Sequence, residues 1–359
     1  MNKAAGRVNW AGRLAVLAGL AALCLAAVVL ACGAGSYPTP PALALRALLA
    51  SFGLADPEGL DPSLILVVAD IRLSRAVLAM LCGASLSIAG AVFQGVLRNP
   101  LADAFTLGVS GGAAFGASLA ILTGVAADQA LQNMSGAGAL PVFALLGALA
   151  ALAAVLGLGR VAGGAVAGFR RETLVLAGIV VSTFLSALIS LLKSLDEESV
   201  SSIVFWIMGS FQGRGFEHAR LALPYMAVGL GLVLWRVREL DLLALGETQA
   251  RLLGLDAARS RLWLLLGASL LSGASVAVSG VIGFVGLVVP HLLRMVLGAG
   301  HVLLVPASGL LGALLLLLSD VLARTILPGG AELPVGVVTA LIGGPFFCLL
   351  LGRAARGKA

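Results

Sequence analysis

The sequence predicts an all-α integral membrane protein of ten transmembrane helices, with an inverted internal repeat and both termini in the cytoplasm. Three observations predict it. Of 359 residues, 60% are hydrophobic and 11% charged, whereas a soluble domain carries about 25% charge. With a mean hydropathy of +1.08, too little polar surface remains to face water. Apolar runs of the roughly 20 residues that cross ~30 Å of hydrocarbon recur along the whole chain. The 47 glycines and only 5% aromatic residues suit helices that pack backbone to backbone, whereas a β-barrel would show short alternating segments. One polytopic domain over 1–359 follows, and a secreted globular enzyme is excluded.

The first apolar run, Leu14 to Ala31, follows the basic residues Lys3, Arg7 and Arg13. A signal peptide also begins this way. The length of the run and the many spans behind it favour an uncleaved first helix, 14–33, with a cytoplasmic N-terminus. The polar, proline-bearing stretch 36–74, with Pro38, Pro40, Pro41, Pro57 and Pro62, is placed outside, and Ala42 to Leu54 within it reads as a helix lying at the interface. Nine further spans are expected near 76–96, 104–124, 140–159, 174–192, 217–236, 262–281, 281–297, 302–322 and 334–352. The division at Gly280 rests only on Gly280, Gly283 and Pro290 interrupting an otherwise continuous apolar stretch.

Charge placement fits this topology. Arg98, Arg160 with Arg170 and Arg171, the stretch Arg236 to Arg261, and the tail with Arg353, Arg356 and Lys358 fall on expected cytoplasmic segments. The acidic linker Asp196-Glu197-Glu198 falls outside. The formal charge of +6 therefore belongs to span ends and not to a nucleic-acid-binding stripe. Cys24, Cys32, Cys82 and Cys348 lie in apolar stretches without CxxC spacing and read as small buried hydrophobes. At an offset of 190 residues, Gly83-Ala84-Ser85 falls on Gly273-Ala274-Ser275, Gly90 on Gly280 and Pro100 on Pro290. Repeat one would span about 76–192 and repeat two about 262–352; five spans separate the copies, so the second would be inverted.

Four stretches resist a purely structural reading. Gln94 to Asp103, containing Arg98, Asn99 and Pro100, is a polar break between spans; a tight turn explains the proline but not the buried-looking Gln94. Residues 240–261 form the longest cytoplasmic linker and read as two short amphipathic helices broken at Gly246 and Gly254, suited to docking a partner or to resting on lipid. Gly283 to His291, with Pro290, runs on to Arg294. Glu332-Leu333-Pro334 opens the last span, where Glu332 suits a cap and Pro334 the first turn. The histidines His218, His291 and His301 are too scattered for a catalytic metal centre.

The phrases FQGVLRNPLADAFTLGVSGGAAFGA, LLALGETQARLLGLD, GVIGFVGLVVPHLLR and ELPVGVVTALIGGPFF, in this order, resemble the iron-siderophore, heme and vitamin B12 (FecCD-type) permease family of ABC importers, from about Arg72 to Leu351. The resemblance implies a homodimer of ten-span permeases in the bacterial inner membrane, docked on a dimer of cytoplasmic ABC ATPases and served by an extracytoplasmic substrate-binding protein. The chain has no GxxxxGK[ST] phosphate loop, so it is expected to have no catalytic site and no cofactor of its own; ATP and Mg belong to the partner ATPase.

Residue by residue, the resemblance implies ATPase docking by Gly246, Ala250, Leu253, Gly254 and Leu255. It implies binding-protein docking by Arg72, Arg75 and Arg324, with Ser74 and Ala104 departing from prolines common in the family. The pathway would lie at the dimer axis along the fifth span, where Ser182, Thr183, Ser186 and Ser190 share a helical face; the same residues equally suit helix-to-helix hydrogen bonds. The cargo implied is a metal chelate, ferric siderophore first, heme and cobalamin behind it. An ion-driven secondary transporter is the alternative, disfavoured by the scarcity of ionisable residues within the spans.

Overall fold

The computed structural model describes residues 10–35, 39–127, 137–167 and 170–356. Lys3 and Arg7, the segment start at Ser36 with Pro38, and Lys358 lie outside the described residues. Every regular element among the described residues is helical. In chain order these are α1 (Trp10–Gly33), α2 (Pro41–Ser51), α3 (Pro62–Leu66), α4 (Ser74–Leu97) and α5 (Val109–Leu122). Next come α6 (Leu140–Ala167), α7 (Arg171–Leu195), α8 (Glu197–Ile207), α9 (Phe216–Leu245) and α10 (Glu247–Leu252). The last four are α11 (Ala257–Ser279), α12 (Val285–Leu297), α13 (His301–Thr325) and α14 (Val335–Arg356). A π-helical stretch, Val67–Leu73, joins α3 to α4 without a break. Seven helices are long and apolar enough to cross a membrane: α1, the continuous Pro62–Leu97, α6, α7, α9, α11 and α13. Three of the expected spans, α5, α12 and α14, are shorter apolar helices.

The core forms around α4, which packs on α13, α11, α9 and α12 and buries most of its length. Small residues make this possible. A Cβ on Gly83 would collide with the Gly312 carbonyl of α13, and one on Gly312 would collide with Gly83 and Ser87. The same mutual contact joins Gly112 of α5 to Gly147 of α6. In lipid, where apolar area gives no preference for protein over acyl chains, such close approach is what holds helices together.

Three expectations change. The linker after the fifth span holds a helix, α8, because Asp196 accepts a hydrogen bond from the Glu198 amide at 3.1 Å and caps it; Ile203 and Trp206 then bury its inner face. Residues 241–245 form no separate amphipathic helix, since nothing interrupts α9 before Gly246, whose φ of +117° ends it. Only α10 stands apart in the 240–261 linker. Cys348 is exposed on α14, unlike the buried Cys24, Cys32 and Cys82. The short helix expected within 42–54 appears as α2, whose Ala44 and Ala47 pack with Cys32 and Val68.

Candidate functional site

Functional candidates collect at the two ends of α4 and beside its middle. At 1.5 Å per residue its 24 residues separate the ends by about 36 Å.

At the first end Arg75 donates from Nε and Nη2 to both carboxylate oxygens of Asp320 at 2.8 to 3.1 Å, and its Nη1 lies 2.9 Å from Glu332. Asp320 has a side-chain exposure of 0%. Arg324, one turn later on α13, lies 3.6 Å from Asp320. It also donates to the Ala31 and Ala34 carbonyls at 3.0 and 3.3 Å. Arg72 donates to the Cys32 carbonyl at 2.8 Å and to Thr39 at 3.2 Å. Arg72 and Arg324 thus supply donors to carbonyls at the end of α1, while Arg75 and Arg324 share the Asp320 carboxylate. Together with Glu332 they edge a cavity of about 220 Å³. All three arginines are buried, so they are not the free, snorkelling cations their positions suggest. Glu332 serves Arg75 and caps no helix, because the arginine is the stronger partner. Pro334 does precede α14, its carbonyl accepting from Val337 and Val338. Asp320 was missed, since an acid in an apolar run shows nothing of its partner 245 residues away.

Beside the middle of α4, the chain breaks between α11 and α12. Gly280, at φ +72°, ends α11, and Phe284, at φ +67°, starts α12. A non-glycine there costs on the order of 1–3 kcal/mol. Pro290, buried within α12, has no N–H to give the Gly286 carbonyl four residues earlier. The buried Gln94 supplies the donor: its Nε2 lies 3.0 Å from that oxygen, while its Oε1 accepts from Arg294. Gln94, Pro290 and Arg294 therefore form one unit. His291 stacks at a tilt on Phe347, 6.4 Å between ring centres. An apolar hollow of about 580 Å³ opens beside the break, walled by Phe105, Met208, Phe284 and Leu341 with Asp103 at its edge. Ser182 donates to the Phe105 carbonyl at 3.0 Å, while Ser186 and Ser190 donate to carbonyls four residues back in α7. Of the four pathway candidates, only Ser182 ties α7 to another segment by a side-chain hydrogen bond; Thr183, Ser186 and Ser190 stay exposed.

At the second end of α4, Arg98 caps the helix in the left-handed region, φ +49°. Asn99 accepts from the Leu101 amide at 3.0 Å, an Asx turn around the exposed Pro100. The α10 hairpin lies nearby: a Cβ on Gly246 would come within 3.6 Å of the Arg98 guanidinium. Gly254, φ +83°, reverses the chain after α10 with open space around it. Leu252 and Leu253 project outward, 83% and 62% exposed. Leu255 is half-buried, and Ala250 is fully buried. Ala250 therefore offers no docking surface; it lets α10 sit down on the bundle. Leu252, which sequence reasoning passed over, is the most exposed apolar side chain of the hairpin. Glu247 accepts from Arg251 at 2.6 Å and Arg261 at 3.0 Å. Partial burial pushes the Glu247 carboxyl up, but the Arg261 hydrogen bond and the charges of Arg261, Arg251 and Arg170 outweigh it and hold it below the usual glutamate value. A cavity of about 840 Å³ lies here, lined by Arg98, Arg170, Arg171, Arg251, Arg261, Glu172 and Glu247. Nearby, Asp241 of α9 accepts from the His301 amide at 2.9 Å and meets its Nδ1 at 2.7 Å, pinning α13 to α9.

Residues 23–353 match the FecCD transport family. The chain is 44% identical over 297 residues to the uncharacterized ABC transporter permease protein YvrB of Bacillus subtilis, covering 83% of this chain and 82% of that one. It is 38% identical over 317 residues to the cobalamin import system permease protein BtuC of Halobacterium salinarum, with 88% and 80% covered. A solved structure described as an inward-facing metal-chelate type ABC transporter superposes with a TM-score of 0.78 at 34% identity, covering 95% of this chain and 99% of that one. An all-helical bundle, a broken helix braced by Gln94 and a family match over most of the sequence agree: the chain belongs to the FecCD transport family and is a multi-pass permease subunit of an ABC transporter in the inner membrane.

Proposed function

We propose that this permease imports a metal chelate into the cytoplasm by alternating access, as a ten-span homodimer with inverted repeats and cytoplasmic termini. The observation that carries the reading is the separation of two specialised ends along one buried helix: an apolar-tipped hairpin at one end of α4, and an arginine-edged cavity at the other. The hairpin, through Leu253, Gly254 and the newly recognised Leu252, docks a cytoplasmic ATPase dimer that binds ATP and Mg. The cavity at Arg72, Arg75 and Arg324 receives an extracytoplasmic binding protein, whose carboxylates suit guanidinium partners. Between them, the exposed face of α7 with Thr183, Ser186 and Ser190, and the hollow beside Phe284, line the route at the dimer axis. ATP-driven closure then shifts the population between outward- and inward-open forms. An ion-driven carrier gains no support from Asp320, because that buried acid is neutralised by Arg75 and Arg324.

The relatives' printed substrates include cobalamin and metal chelates, and a mostly apolar hollow offers no hydrogen-bond code to rank them. Ferric siderophore is the first cargo to try, with heme and cobalamin next. The test is ATPase activity and uptake in liposomes holding this chain, its cognate ATPase and its binding protein, with each ligand in turn. One ligand is expected to stimulate both. If the ATPase copurifies and none of the three stimulates it, the substrate class falls; if nothing copurifies, the docking assignment falls too.

A further inference from the structure

Three linkers that are far apart in sequence meet at the 840 Å³ cavity: the turn after α4, the start of α7, and the α10 hairpin. Five arginines against two glutamates leave it a net charge of +3. The two acids are already engaged, Glu247 by Arg251 and Arg261, and Glu172 by Arg171. Among the described residues, Arg98 and Arg170 make no ion pair, and both are exposed. Bringing these cations together costs repulsion that a partner carrying negative charge would relieve. Directly beside the cavity, Leu252 and Leu253 give the same surface an apolar knob. An apolar knob next to a basic hollow is the makeup of a specific protein interface, where a desolvated anchor is flanked by charges that fix register and speed encounter.

We propose that the ATPase docks on a composite surface made by three linkers, inserting an acidic segment into the arginine-lined cavity while Leu252 and Leu253 enter an apolar cleft. This rests on the ATPase-docking reading above and adds Arg98 and Arg170 to it. It also gives the ATPase a second handle. Arg170 and Arg171 begin α7, the helix proposed to line the route, so movement of the docked acid acts on that helix directly as well as through α10.

The test measures affinity of the cognate ATPase for the full-length chain in phosphatidylcholine nanodiscs, at low and at high salt. Wild-type affinity is expected to fall as salt shortens the screening length from ~30 Å at 0.01 M to about 3 Å at 1 M. Arg98→Glu with Arg170→Glu is expected to weaken binding on the order of tenfold or more at low salt; Arg98→Lys with Arg170→Lys retains most of it. Leu252→Ala weakens binding without changing the salt dependence. Salt-independent wild-type binding, or full affinity in the Glu double variant, overturns the composite surface. If Leu252→Ala and Gly254→Trp bind normally as well, the docking reading itself falls. Retention of phosphatidylglycerol that follows the two arginines while ATPase affinity does not would assign the cavity to lipid and also overturn the proposal.

Discussion

At the scale of single residues, two buried polar units decide most. Gln94 answers a vacancy that Pro290 creates, and Arg294 fixes which way its amide points. Gln94→Leu strands the Gly286 carbonyl and Arg294 together, at a cost of about 1–3 kcal/mol for each unsatisfied group. Adding Pro290→Ala restores the N–H that Gly286 lacks, so thermal unfolding in detergent is expected to show partial recovery in the double variant. Additive losses would break the pairing. The second unit is Asp320. Asp320→Asn leaves Arg75 with half its partners and Arg324 uncompensated, and removing one side of a buried ion pair costs on the order of 3–5 kcal/mol. Glu332→Gln, at the more exposed rim, is expected to cost clearly less. Equal shifts in melting temperature would show that Asp320 is no more central than Glu332. Gln94 and Pro290 were both visible in the sequence as oddities, but their connection was not, because only the fold brings residues 94 and 286 together.

At the scale of elements, boundaries that carry a local signal were legible. Gly280 ends one helix and Gly246 another, each by a positive φ that glycine adopts without steric cost. The short helix α8 does not follow from the reading of Asp196-Glu197-Glu198 as an acidic linker outside the membrane, although Asp196 stands in capping position. The reading of 240–261 as two helices failed for the opposite reason: with no breaker before Gly246, α9 simply continues. The α10 hairpin invites its own test. Gly254→Trp, at φ +83° in open space, is expected to distort the docking tip while leaving the bundle intact. Pull-down of the ATPase should drop severalfold with an unchanged melting temperature; normal copurification and uptake would remove the hairpin from the coupling role.

At the scale of the whole molecule, composition alone announced a membrane bundle, and four ordered phrases announced its family. Neither announced how the arginines are used. Arg72, Arg75 and Arg324 looked like span-end cations and turned out buried, joined to α1 and α13 by acceptors dozens to hundreds of residues away. Charge reversal at Arg72 and Arg75 therefore carries two expected effects. Binding-protein affinity falls in a salt-sensitive way, and stability falls regardless of salt, since Asp320 loses its closest partner, keeps only Arg324 and faces a new acid at position 75. Titrating salt separates them: a loss of docking that is the same at low and high salt would mean the arginines act only as internal braces.

The helix α13 is held at both extremities, by Asp241 meeting His301 at its start and by Arg75 grasping Asp320 near its finish. Along its length it lies in backbone contact with α4 through Gly83 and Gly312. A rod clamped at two points and keyed along its side cannot tilt by itself. On the proposed alternating-access reading, α4, α9 and α13 would serve as the stator, and the work of opening and closing would fall to the parts left outside it: α7, α8, the break at Gly280 to Phe284, and α14.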